Sequence, residues 1–334
     1  MSSYRIGRGG TDSRIGVTVF TALVVVLAAV PWWNTDGGVR TQLVPILLYL
    51  SLAQMWNLLA GYAGLISVGQ QMFVGAGMYA LLSLAERHGV DPWLSVLLCG
   101  LVAAVLSLPV AALAFRLRAG YFAIGTWVIA EVVRLFVNES GYTAGGTVRG
   151  LTPASLGQYT KATREKVTFW LALALGATLL VVAVLRSRIG LALRAVRDSE
   201  SGARALGVDA VRTKLVVWVL AAFWTGCTGA VILLNTTSTR SDSAFSIADW
   251  TALVIFIVVI GGVGSTAGPI FGVGVYWLLE RLLDDADTWR FIVLGALAAV
   301  MAIVAPGGLY GLVNDRRPVE LFPVRRRLSG EGVP

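Results

Sequence analysis

Apolar runs long enough to cross about 30 Å of hydrocarbon, at about 20 residues per helix, recur from residue 15 almost to residue 305. Runs such as Val17 to Val30 and Ala252 to Ile260 are apolar on every face, and the period-two alternation of an outer-membrane barrel is absent. Lipid offers peptide groups no water to bond, so helices are the spanning structure left. Composition agrees: 56% of the 334 residues are hydrophobic and 14% charged, against about 25% charged in a soluble domain. The sequence therefore predicts an all-α polytopic membrane protein.

Ten crossings are expected, at roughly 15–33, 43–60, 65–84, 93–115, 121–137, 167–185, 215–234, 250–262, 266–280 and 291–306. Placing both termini in the cytosol puts 17 of the 27 Lys and Arg residues inside and nine outside, with acidic residues biased the other way, as the positive-inside rule requires. The formal charge of +8 thus reports orientation in the membrane rather than nucleic-acid binding. Residues 1–14 form a cytosolic lead, 15–312 the transmembrane domain and 313–334 a cytosolic basic tail. Within the domain, 186–214 is a cytosolic segment and 138–166 the longest external loop. The first span is read as an uncleaved anchor, followed by Pro31, Trp32 and Trp33. Those tryptophans, with Trp93, Trp170, Trp250 and Trp289, fall at expected span ends and suit the headgroup layer.

Several chemistries drop out. Cys99 and Cys227 lie in apolar runs as small hydrophobes, and the single histidine, His88, leaves no imidazole pair for a metal or haem. No metal site, catalytic residue or resident cofactor is expected. A Walker A loop needs Gly-Lys-Ser/Thr, whereas Lys161, Lys166 and Lys214 follow Thr160, Glu165 and Thr213. The acidic cluster Asp284, Asp285 and Asp287 has no second aspartate-rich motif facing it. A proton- or ion-driven transporter or a channel is the alternative to an ATP-driven one, but its relay of intramembrane carboxylates would rest on Glu131 alone.

Four features depart from plain spans. Between Ser187 and Gly207, Ile189, Leu193, Val196, Ala203 and Leu206 recur at helical spacing among arginines, which predicts a short helix pair at the cytosolic surface. Gly207 is expected to end it in a left-handed conformation. Gly264, Gly268 and Gly272 repeat every four residues and predict a smooth helix ridge, packed within this chain or against a second one. Glu131 and Arg134 are one turn apart, either a structural pair or a charged element beside a solute path. Asn57, Ser67, Gln70 and Gln71 flank the start of the third span, where they either hydrogen-bond a polar solute or hold a broken helix.

Glu200-Ser-Gly-Ala-Arg-Ala-Leu-Gly207 resembles the Glu-Ala-Ala-x-x-x-Gly coupling motif of ATP-binding-cassette (ABC) importer permeases. Asn57-Leu-Leu-Ala-Gly-Tyr-Ala-Gly-Leu-Ile-Ser-Val-Gly-Gln70, Gly75-Ala-Gly-Met-Tyr79, Ser187 to Arg197 and Ile260-Gly-Gly-Val-Gly-Ser-Thr-Ala-Gly-Pro-Ile270 resemble the branched-chain amino acid permeases of that class, the longer of their two permease types. The chain departs from such relatives in carrying Gln70-Gln71 where they have histidine. The resemblance implies a type II importer subunit of the cytoplasmic membrane, paired with a second homologous permease, two cytosolic ATPase subunits that bind ATP and Mg, and an external solute-binding protein. It implies contact with the ATPase through Arg194, Arg197, Glu200, Leu206 and Gly207. Branched-chain or other hydrophobic amino acids are the implied solutes, with urea, amides and organic acids also open.

Overall fold

The computed structural model describes residues 5–8, 18, 21–22, 24–29, 38–118, 120–140, 147–156, 161–176, 178–282, 287–316 and 326–329. Pro31, Trp32, Trp33, Asp284, Asp285, the loop stretches 141–146 and 157–160 and most of the tail lie outside them. The helices are α1 (Gly38–Asn57), α2 (Gln71–Leu82), α3 (Ser95–Ala114), α4 (Gly120–Glu139), α5 (Lys161–Gly176), α6 (Leu179–Arg186), α7 (Arg188–Asp198) and α8 (Glu200–Ala205). After them come α9 (Ala210–Thr236), α10 (Leu253–Gly261), α11 (Gly268–Leu282), α12 (Asp287–Val304) and α13 (Gly308–Arg316). Turns of π geometry extend α1 (Leu58–Tyr62) and α2 (Ser83–Arg87) and precede α10 (Ala248–Ala252).

Among the described residues, five helical stretches are long and apolar enough to cross a membrane: Gln42–Tyr62, Ser95–Ala114, Gly120–Glu139, Ala210–Thr236 and Ser241–Gly261. Ile292–Val304 and Gly308–Asn314, bent by 42°, make a sixth if taken as one span. Other expected crossings are shorter or interrupted. The third begins with irregular backbone at 64–70, where Gly64 has φ +69°, and becomes helical at Gln71. The sixth divides into α5 and α6, and the ninth is the 15-residue α11. Irregular backbone at this depth is tolerated because it is packed inside protein.

The centre of the bundle is α9, 27 residues and about 40 Å long. Asp209 opens it by accepting the Arg212 N–H at 2.9 Å, and Thr237 closes it with φ +61°. A seam of small residues lets α2 and α3 lie directly on it. A Cβ on Gly77 would come 2.1 Å from the Gly226 carbonyl, one on Gly229 2.2 Å from the Val74 carbonyl, and one on Gly100 2.4 Å from the Cys227 sulfur. Backbones this close gain dispersion contacts that lipid tails cannot match. One turn of helix or more further along, fully buried Trp218 collects the rings of Phe73, Phe115 and Phe122 edge-on at 5.7–5.9 Å and donates to the Ser107 carbonyl.

Two short strand pairs complete the chain's connections. Arg149–Gly150 pairs antiparallel with Ser238–Thr239 beyond the far end of α9. Arg5–Arg8 pairs antiparallel with Arg326–Ser329, joining the first and the last of the described segments.

The seam yields a contrast between two glycines. Gly229→Leu should destabilise the detergent-solubilised protein by about 3 kcal/mol or more, because the side chain meets backbone. Gly274→Leu, whose Cβ meets nothing within 4 Å, should stay within about 0.5 kcal/mol. Thermal unfolding of the two variants checks the difference.

Candidate functional site

The 188–205 segment is a helix pair. Ser187 and Ser199, both in extended conformation, cap α7 and α8 by accepting the N–H groups of Ile189 (3.2 Å) and Gly202 (3.1 Å). Leu193 (0% exposed) and Val196 (3%) face inward, so they seat the pair on its own bundle rather than on a partner. The sequence pattern groups them with Leu206 at helical spacing, and the structure separates them. Leu206 is 83% exposed, and Gly207 turns the chain with φ +82° over open space. Of the exposed apolar side chains of this segment, Ile189, Leu191 and Leu206, the last is the most exposed and stands beside a left-handed turn.

The charged residues of the pair are tied within the chain. Glu200 accepts from Arg204 and Lys214, each at 2.6 Å, bracing α8 against α9. The Lys214 ammonium bonded to it holds the Glu200 carboxyl below the usual carboxylate range, so it is ionised at neutral pH. Arg197 donates to Asp198 and, through Nη1, to the Gly61 carbonyl at 2.7 Å. Arg197 and Glu200 are thus both bonded to other helices of the chain.

The polar residues around the third span bind elements of the chain to one another. Asn57 donates to the Ser265 carbonyl and accepts the Gly264 N–H, both at 2.8 Å. Ser67 accepts the Gly69 N–H through its hydroxyl and the Trp56 indole N–H through its carbonyl. Gln70 donates to the Leu52 carbonyl and to Thr225. Gln71 and Thr251 bond reciprocally: the Gln71 N–H donates to the hydroxyl, which donates to the Gln71 amide oxygen at 2.5 Å. All four side chains are buried. Sequence reasoning missed Gln54, 1% exposed, which donates to Thr178 and to the Thr266 carbonyl. Its signal was present as an amide in an apolar run, one turn before Asn57 on the same face. The amide oxygens of Gln54 and Gln70 have no hydrogen-bond partner among the described residues.

The glycine ridge is divided. Gly264 lies in the turn before α11, at φ +76°, while Gly268 and Gly272 are on the helix. A Cβ on Gly272 would meet the Ile257 carbonyl at 1.9 Å and one on Gly268 the Gly262 carbonyl at 2.3 Å. These glycines pack α11 against α10 of the same chain. The reason the four-residue repeat misled is Gly262, whose φ of +125° ends α10 and starts a turn running past Gly264.

At the opposite end of the bundle, Arg134 bonds both oxygens of Glu131 and, through Nη1, Asp242 at 2.6 Å. The third member is 108 residues away in sequence, beyond any local pattern. The triad carries two carboxylates and one guanidinium. Side-chain exposure of 48% at Glu131 and 78% at Asp242 places it on a face the chain does not cover itself.

Residues 39–305 match the family described as branched-chain amino acid transport system, permease component. The chain is 29% identical over 324 residues to the high-affinity branched-chain amino acid transport system permease protein LivM of Salmonella typhimurium strain LT2, covering 88% of this chain and 75% of that protein. It is 28% identical, with the same coverage, to LivM of Escherichia coli K12. It is 24% identical over 243 residues to the probable branched-chain amino acid transport permease LivM of Methanocaldococcus jannaschii, 68% of each chain. No solved structure matches it. With its apolar spans and this match over most of its length, the chain is a multi-pass membrane protein that belongs to the branched-chain amino acid transport permease family.

Proposed function

We propose that this chain is a permease subunit of an ABC importer in the cytoplasmic membrane, moving branched-chain or other hydrophobic amino acids inward by alternating access. Its partners are a second homologous permease, two cytosolic ATPase subunits that hold ATP and Mg, and an external binding protein that delivers the solute. The observation that carries this reading is the outward-facing end of the helix pair at Leu206 and Gly207. A leucine 83% exposed to water next to a rigid turn has the form of a knob for a hydrophobic groove. The brace from Glu200 to Lys214 on α9 makes the knob move with the bundle's central helix. The names carried by the relatives from Salmonella typhimurium and Escherichia coli supply the solute class.

The triad Glu131, Arg134 and Asp242 belongs beside the solute path in this reading. A net negative charge facing lipid is costly, whereas the same triad in a hydrated vestibule is not. The paths of individual side chains at Asn57, Ser67, Gln70 and Gln71 are then indirect: they hold the interrupted helices that surround the route.

Two experiments test the reading. Reconstituted with its ATPase subunits, the complex should hydrolyse ATP faster when loaded binding protein is added. Leu206→Asp or Gly207→Val should cut that stimulation about tenfold or more, the loss expected of a central interface anchor. Unchanged stimulation in both variants would make the segment an amphipathic helix resting on headgroups. For the triad, Arg134→Leu should lower the yield of folded protein more than Glu131→Gln. The first leaves two carboxylates together, and the second leaves Arg134 still paired with Asp242. Adding Glu131→Gln and Asp242→Asn to Arg134→Leu should restore yield, measured by fluorescence-detected size exclusion.

A further inference from the structure

Two departures from regular backbone meet beneath α7. The last turn of α1 widens to π geometry over Leu58–Tyr62. The turn between α10 and α11 passes it with Gly262 at φ +125° and Gly264 at φ +76°. No side chain separates the two: a Cβ on Gly61 would lie 2.5 Å from the Gly264 nitrogen and 2.6 Å from the Asn57 amide oxygen. Arg197 of α7 reaches the same spot. Its Nη1 bonds the Gly61 carbonyl at 2.7 Å and lies 3.6 Å from where a Gly264 Cβ would be.

Each bond here has a physical reason. The Gly61 carbonyl belongs to the final turn of a helix, where carbonyls lack partners along the chain and carry the negative end of the helix dipole. A guanidinium satisfies it better than any neutral donor. Asn57 satisfies the Gly264 N–H and the Ser265 carbonyl with one amide, and Gln54, one turn earlier, takes the Thr266 carbonyl. The 264–266 turn is thus bonded to α1 residue by residue, and α1 is bonded at its π turn to α7.

We infer that Arg197 is a positioning residue, carrying displacement of the α7–α8 pair through Gly61 and Asn57 to the 262–267 turn and the α10–α11 hairpin. The inference rests on the proposed role of that pair in coupling to ATPase subunits, and it names how the movement enters the membrane. Two properties make the junction suitable. Backbone packed on backbone has little give, so a shift at Gly61 is passed on rather than absorbed. A π turn differs from an α turn by one hydrogen-bond register, so the end of α1 has two discrete arrangements rather than a continuum. Arg197 bonds the carbonyl inside that turn and biases which arrangement is held.

The test uses the complete complex in proteoliposomes with leucine-loaded binding protein, measuring leucine uptake and ATP hydrolysis on the same vesicles. Arg197→Met should lower uptake per ATP hydrolysed about tenfold, the shift that losing one charge-assisted hydrogen bond can impose on a two-state element. Arg197→Lys, which keeps a charged donor in reach of the carbonyl, should recover much of it. Hydrogen exchange supplies the second readout: the ATP-dependent change at 261–267 should vanish in Arg197→Met while that at 188–205 persists. Uptake per ATP within about twofold of the parent protein, or an unchanged exchange response at 261–267, overturns the inference. If Arg197→Met does not assemble, Arg197→Lys decides: a partial loss of ATP-dependent exchange at 261–267 supports the junction, and a full response overturns it. A parent chain that recruits no ATPase sinks the coupling reading itself, and the junction's role with it.

Discussion

Every peptide group inside a bilayer must find its hydrogen-bond partner within protein, and here the requirement falls hardest where helices are interrupted. The irregular backbone at 64–70 is held by the Trp56 indole on the Ser67 carbonyl and by Gln70 and Gln71 on α1, α9 and the turn before α10. The turn at 262–267 is held by Gln54, Asn57 and Ser265. Each interruption is stitched to a helix that is not its sequence neighbour. The polar side chains of the membrane interior thus form the joints between rigid parts, and the glycine seams of α2, α3, α9, α10 and α11 set how closely those parts lie.

This division of labour separates two ends of the molecule. Towards α7 and α8, Glu200 and Asp198 are paired within the chain and Leu206 is left outward. Towards the far end, the triad leaves carboxylates open on a face the chain does not cover. Between the ends runs α9, capped at Asp209 and joined to α8 by Lys214, about 40 Å of continuous helix.

Much of this was legible in the amino-acid order. The apolar runs marked the membrane class, the apolar spacing from Ile189 to Leu206 and the glycine at 207 marked the helix pair, and Glu131 and Arg134 marked their own pairing. What escaped notice was set by long-range contact. Nothing local distinguishes Leu193, which is buried, from Leu206, which is not. Asp242 joins Arg134 only through the packing of α4 beside the start of the next span. The repeat of Gly264, Gly268 and Gly272 was read as one ridge because spacing does not reveal where a helix begins. The decisive residue, Gly262, lies outside the repeat. The seam on α9 passed unremarked because Gly226, Cys227 and Gly229 look like any small residues in an apolar run until α2 and α3 are laid against them.

The pairing of Arg5–Arg8 with Arg326–Ser329 has a consequence in time. The first strand leaves the ribosome long before the second exists; at about 5–20 residues per second the interval is on the order of 15–60 s. During that wait the early strand is an unpaired edge beside a membrane that is still receiving helices. Until residues 326–329 have been made, the early strand keeps the unsatisfied N–H and C=O groups of an edge, to which another chain can pair. The ribbon is in this sense a latch whose two halves are made at opposite ends of synthesis.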